Sequence, residues 1–158
     1  SIEPNKISLD IDFELKYENP VIGNQRNAIS AYTDDLTDIY NSRTFCLYED
    51  IEKLKKMNLA NGGSLENAIV VKDNEVLNKE GLRNEKEFVQ HKILDMIGDL
   101  ALTNCNLRCS IKAYCPGHAI NKQLMNKIFS TLSNYEIQQH RETNTENFPE
   151  KSIVAAQL

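Results

Sequence analysis

His91, Asp95 and Asp99 recur every four residues in a stretch where Val89, Ile93, Met96, Ile97 and Leu100 form an apolar stripe at helical spacing. At about 100° per residue the three polar positions make a second stripe, each about 40° from the last and roughly opposite the middle of the first. Histidine and aspartate four apart on a helix stack one above the other. An imidazole nitrogen and a carboxylate oxygen can then reach one Zn²⁺, which accepts both. The same spacing also makes an ordinary ion pair on a solvated helix face. His118 follows Pro116-Gly117 and opens another amphipathic segment, where a side chain can be aimed into a cleft or stand at the surface. His140 lies in a polar tail with no neighbours that suggest a role. Cys115-Pro116-Gly117-His118, with Cys105 and Cys109 nearby, is a weaker metal reading, because its spacings match none of the common structural zinc sites.

The elements that must carry these residues are legible in outline. Ile7 to Tyr17 alternates strictly between apolar and polar residues and predicts a long strand with one wet face. A second strand is expected within 27–32, then a short helix near 34–40 with Thr33 as its N-cap. Residues 43–47 read as extended, 49–57 as helical, and Gly62-Gly63 as a stop. Ala68 to Leu77 reads as a hairpin or two short strands. The helix bearing His91 should span about 84–102, a strand 107–114, and a last amphipathic helix 119–132. From Ser133 the chain turns polar, a tail in which Ile153-Val154-Ala155 could pair as an edge strand. The expected fold is α+β: a two-layer sandwich of a mostly antiparallel sheet on two main helices, with a small βαβ insert at about 44–77. The expected division is one domain over 1–132 and the tail over 133–158.

Composition excludes several functions. The net charge of −5 and the scattered lysines offer no basic stripe for nucleic acid, and no apolar run approaches the roughly 20 residues of a membrane span. Four cysteines without a CxxC pair suggest free thiols in a reducing compartment. The expectation is a soluble, cytoplasmic protein without a transmembrane segment.

Several blocks, in one order, sharpen the reading. Phe88 to Leu100 resembles the zinc-binding helix of the UDP-3-O-acyl-N-acetylglucosamine deacetylases (LpxC), enzymes of lipid A synthesis in Gram-negative bacteria. Ser42-Arg43-Thr44-Phe45, Gly62 to Val70, Val76-Leu77-Asn78, Gly81-Leu82-Arg83 and Gly117-His118-Ala119-Ile120-Asn121 agree with it, so that the likeness covers about 19–128. The resemblance implies a Zn²⁺-dependent amide hydrolase that releases acetate from UDP-3-O-acyl-N-acetylglucosamine. It implies His91 and Asp95 as zinc ligands and His118 as a cation or general acid held by Asp99. An imidazole so held can stabilise an oxyanion and protonate a departing amine. Thr44 would lie near the reacting carbonyl and Lys92 would point into the substrate site. Phe45, Gly63 and Ser64 would line that site, and Ile51, Ala60 and Val70 would wall a passage for the acyl chain.

The departures are as informative. Cys115-Pro116 replaces a basic and a small residue, so that one contact the resemblance implies for the diphosphate is left open. Asn84 and Gln90 replace a usual Phe and Arg and read as surface positions. The family's first domain, with a third zinc His and a general-base Glu, has no counterpart here, so the zinc site is expected to be incomplete and the chain inactive alone. The chain reads as a domain cut from a longer protein, with the missing N-terminal domain as its partner. The alternative is a non-catalytic module that binds the sugar nucleotide or acyl chain, or a structural remnant.

Overall fold

The structure, a computed structural model, describes residues 1–5, 7–58, 62–139 and 151–155. Strand β1 (Ile2–Pro4) is followed by β2 (Leu9–Lys16) and β3 (Asn24–Ser30). The predicted first strand begins two residues late, because the Asn5 side chain accepts the backbone N–H of Ile7 and of Ser8 and turns the chain there. In β2, Leu9, Ile11, Phe13 and Leu15 are buried while the intervening acids and Lys16 lie on the other face. Helix α1 (Thr37–Tyr40) is shorter than predicted. Its N-cap position is Leu36 and not Thr33, and just before it Asp35 accepts both the N–H and the hydroxyl of Thr37.

The insert then departs from the main body. Strand β4 (Thr44–Leu47), a 3₁₀ turn, helix α2 (Ile51–Lys56) and strand β5 (Ala68–Lys72) form the predicted βαβ unit, with β4 and β5 parallel. A short strand β6 (Glu75–Val76) adds antiparallel to β5. Phe45, Leu47, Ile69 and Val71 face the main core, and buried Asn78 ties the unit together. Its amide donates to the carbonyls of Leu65 and Ala68, and its oxygen accepts the N–H of Val70.

Helix α3 (Glu87–Ala101), strand β7 (Asn106–Tyr114) and helix α4 (His118–Phe129) complete the frame, with strands β8 (Tyr135–Gln139) and β9 (Lys151–Ala155) after it. The sheet order is β3-β2-β7-β9-β8, with β1 also on β7. Pairings β1–β7, β2–β3 and β8–β9 are antiparallel, whereas β7 runs parallel to both β2 and β9. This is an α+β sandwich with α1, α3 and α4 in the helical layer. β8, not β9, is the outermost strand of its end. Tyr135 and Ile137 alternate with Glu136 and Gln138, a strand period embedded in polar sequence.

The core lies between the layers. Phe13, Phe88, Val89, Ile93, Met96 and Ile128 are buried within it, so the apolar stripe of α3 faces the sheet as its spacing requires. That fixes the rotation of α3 and turns the stripe of His91, Asp95 and Asp99 outward.

Candidate active site

His91 and Asp95 are one turn apart on α3, with Nε2 of the imidazole 3.3 Å from Oδ1 of the carboxylate. The other ring nitrogen, Nδ1, lies 3.1 Å from the backbone carbonyl of Ser42. A carbonyl can only accept, so Nδ1 carries the proton and Nε2 of a neutral ring presents its lone pair to a carboxylate. Two acceptors so close can share a metal ion between them. Two ligands each about 2.0–2.1 Å from a tetrahedral zinc stand about 3.3 Å apart, so the pair fits one metal. Oδ2 of Asp95 is held by Lys92 Nζ at 2.8 Å, which orients the carboxylate and leaves Oδ1 to the imidazole side. The two side chains are mostly covered but reachable, at 13% and 19% exposure. Among the described residues, no cluster of three or more His, Cys, Asp or Glu side chains could hold a metal.

One turn further on, Asp99 receives a side chain from the next helix. His118 Nδ1 lies 2.9 and 3.0 Å from the two carboxylate oxygens, and Asn121 Nδ2 donates to Oδ2 at 2.8 Å. Asp99 is largely covered, at 17% exposure, while His118 stands at 69%. The carboxylate thus fixes the imidazole by Nδ1 and leaves Nε2 turned to open space. A cleft of about 550 Å³ between the end of α3 and α4 opens beside this pair, lined by Asp99, His118, Lys122 and the apolar side chains of Leu102, Met125 and Phe129.

The remaining predicted residues divide into two groups. Thr44, exposed, starts β4 two residues after Ser42, and Phe45 stacks edge-on against Phe88 at 5.0 Å with Lys92 Nζ 5.4 Å from its ring centre. The structure therefore gathers His91, Lys92, Asp95, Asp99, His118 and Phe45 along α3, and Thr44 begins the strand that carries Phe45. Gly63 and Ser64 are exposed in the turn before β5, and Ser64 bonds within the insert, to Asn67 and Ala68. Ile51 opens α2 and Val70 is buried in β5, on the face of the insert sheet opposite Ile69 and Val71. Ala60 and His140 lie outside the described residues. Cys46, Cys105, Cys109 and Cys115 are free thiols. Cys115 sits at φ +45°, with its sulfur accepting the N–H of Lys16 at 3.1 Å.

Two residues behave otherwise than the sequence suggests. Gln90 is buried, not on the surface, and its Oε1 accepts from the Ser42 hydroxyl at 3.4 Å. Glu87 is fully buried and pairs with buried Arg43. The pairing was invisible in sequence because 44 residues separate the partners.

Comparison with known proteins places the chain in a family. Residues 1–130 match the family model described as LpxC, UDP-3-O-acyl N-acetylglycosamine deacetylase. The chain is 44% identical over 137 residues to a UDP-3-O-acyl-N-acetylglucosamine deacetylase of Campylobacter hominis, covering 86% of this chain and 46% of that protein. It is 45% identical over 130 residues to one of Psychrobacter sp., covering 80% and 44%. It is 44% identical over 130 residues to one of Pseudomonas entomophila, covering 80% and 43%. The chain thus spans a little under half the length of the curated relatives it matches.

Proposed function

Because the chain belongs to the LpxC family of UDP-3-O-acyl N-acetylglycosamine deacetylases, we propose that it forms one half of a zinc-dependent deacetylase of lipid A biosynthesis. The substrate is UDP-3-O-acyl-N-acetylglucosamine, and the product acetate comes from its 2-acetamido group. The observation that carries this reading is the joining of two pairs, His91 with Asp95 and His118 with Asp99, along one stripe of α3. A surface helix has no reason to bring a second histidine from another element onto that stripe.

The roles are those the family resemblance implies, and the two pairs on α3 support them. His91 Nε2 and Asp95 Oδ1 are the metal's ligands, with Ser42 and Lys92 holding them in place. Zinc held by these two residues would supply a Lewis acid able to activate a water for attack on the amide carbonyl. Asp99 anchors His118 by Nδ1; in its imidazolium form the ring's charge opposes that of the tetrahedral oxyanion and its Nε2–H can pass a proton to the leaving amine, which leaves the ring neutral. Thr44 lies beside the carbonyl; Lys92, Phe45, Gly63 and Ser64 contact the sugar nucleotide. Ile51, Ala60 and Val70 line the acyl passage. A third ligand and the base for water come from an N-terminal domain of the parent protein, so this chain alone should not turn over. The test is zinc content beside turnover in the parent protein carrying His91→Ala or His118→Ala. Loss of zinc from both variants alike would defeat the assignment.

A further inference from the structure

Glu87 opens α3 one turn before His91, fully buried, and every strong acceptor direction of its carboxylate is used. Oε1 accepts the backbone N–H of Arg43 at 3.1 Å and Arg43 Nε at 2.9 Å. Oε2 accepts Arg43 Nη2 at 3.1 Å and the backbone N–H of Arg83 at 2.6 Å. Burial pushes its acidity toward the neutral form. The Arg43 hydrogen bonds, then the two backbone N–H groups and the Arg43 charge, outweigh this and leave its pKa below the usual value of 4.5.

The N–H of Arg43 and the C=O of Ser42 are the two ends of one planar amide. That amide's N–H points at Glu87, and its C=O takes the Nδ1–H of His91. Glu87 and His91, at i and i+4 on one helix, are thus bridged by a single peptide from another segment. We propose that Glu87 sets the ring orientation and the Nδ1–H tautomer of His91 through the peptide that joins Ser42 to Arg43. A carboxylate accepting one end of an amide polarises it and makes the other end a stronger acceptor. Ligating histidines commonly give their second N–H to a carboxylate or a carbonyl. Here the two act in series, with the charge one peptide away and shielded from solvent. A buried ion pair contributes little net stability over apolar residues of the same volume. Glu87 is a positioning residue: it does not reach the reacting atoms.

The consequence for metal affinity rests on the zinc-ligand reading of His91; the tautomer does not. The test uses the chain with ¹⁵N-labelled histidine, in which two-bond proton–nitrogen correlations at mildly alkaline pH report the proton's location on each ring. Wild type should show His91 as Nδ1–H. Glu87→Gln, which keeps shape and removes charge, should shift His91 toward the Nε2–H form while His118, held by Asp99, keeps its signals. In the parent protein the same change should weaken zinc affinity about 10- to 100-fold in chelator competition. If Glu87→Gln leaves Arg43 uncompensated and the fold is lost, the paired variant Arg43→Gln with Glu87→Gln removes both charges and is read the same way. A wild-type His91 in the Nε2–H form, or an unmoved tautomer in a folded variant, overturns the proposal. A parent protein that holds no zinc while the tautomer shifts as expected defeats the zinc reading and supports this one.

Discussion

His118 gives its Nδ1–H to the carboxylate of Asp99 at 2.9 Å across 19 positions of sequence, and that contact ties the start of α4 to the outward stripe of α3. It makes the two pairs on α3 separable by mutation, since in the proposed function one ends at a zinc-ligating nitrogen and the other at a proton-donating one.

In the parent protein, His91→Ala is expected to abolish bound zinc and activity together. His118→Ala should retain zinc and lower kcat about 10²- to 10⁴-fold, the usual contribution of a positioned proton donor. Metal analysis alongside steady-state kinetics separates the two, and a zinc-free His118→Ala protein would show that the division of roles is wrong.

The isolated chain should bind zinc weakly and show no deacetylation, since catalytic zinc sites normally use three protein ligands plus water. Calorimetric titration with zinc and an acetate-release assay test this. Turnover by the chain unaided would remove the need for a second domain.

Acid should destabilise the fold through Glu87. Its carboxyl is held below the usual value of 4.5 in the folded protein, so its contribution is complete above that value. As pH falls through the lower, folded-state value the contribution is lost. Urea midpoints measured from neutral to acid pH should fall more steeply in wild type than in the Arg43→Gln, Glu87→Gln pair. Parallel curves would exclude Glu87 as the source. Glu87→Ala alone should cost up to about 3–5 kcal/mol, because it leaves the buried Arg43 charge with half-exposed Glu80 as its carboxylate partner.

Phe88→Ala should cost about 3–5 kcal/mol, the usual range for deleting a buried aromatic ring. Phe88 is fully buried and supports Phe45, over which Lys92 lies. Denaturant unfolding checks the value, and a loss below about 1 kcal/mol would mean that the insert packs independently of this contact.

Cys109 should resist alkylation longest. Burial first, and then the charge of Asp10, push its thiol up to about 12. Mass mapping with a thiol reagent under native conditions should find half-buried Cys115 modified well before Cys109. The reverse order would place Cys109 nearer the surface than the structure does.

Much of this was legible in the chain itself. The apolar spacing from Val89 to Leu100 determined that α3 would turn His91, Asp95 and Asp99 to one side, because helical geometry alone sets that angle. The alternation from Leu9 to Lys16 determined a strand with one buried face in the same way. The order of motifs around Gly117-His118 pointed to the partner of Asp99, which spacing by itself could not. What only the tertiary structure decided involves partners distant in sequence. That Gln90 is buried depends on Ser42 lying over it, and that the Ser42–Arg43 peptide bridges Glu87 and His91 depends on β4 docking beside the start of α3. The parallel pairing of β7 with both β2 and β9 likewise follows from packing, since the strand period is the same for either direction. Local sequence sets which face of an element is polar; only packing decides what that face meets.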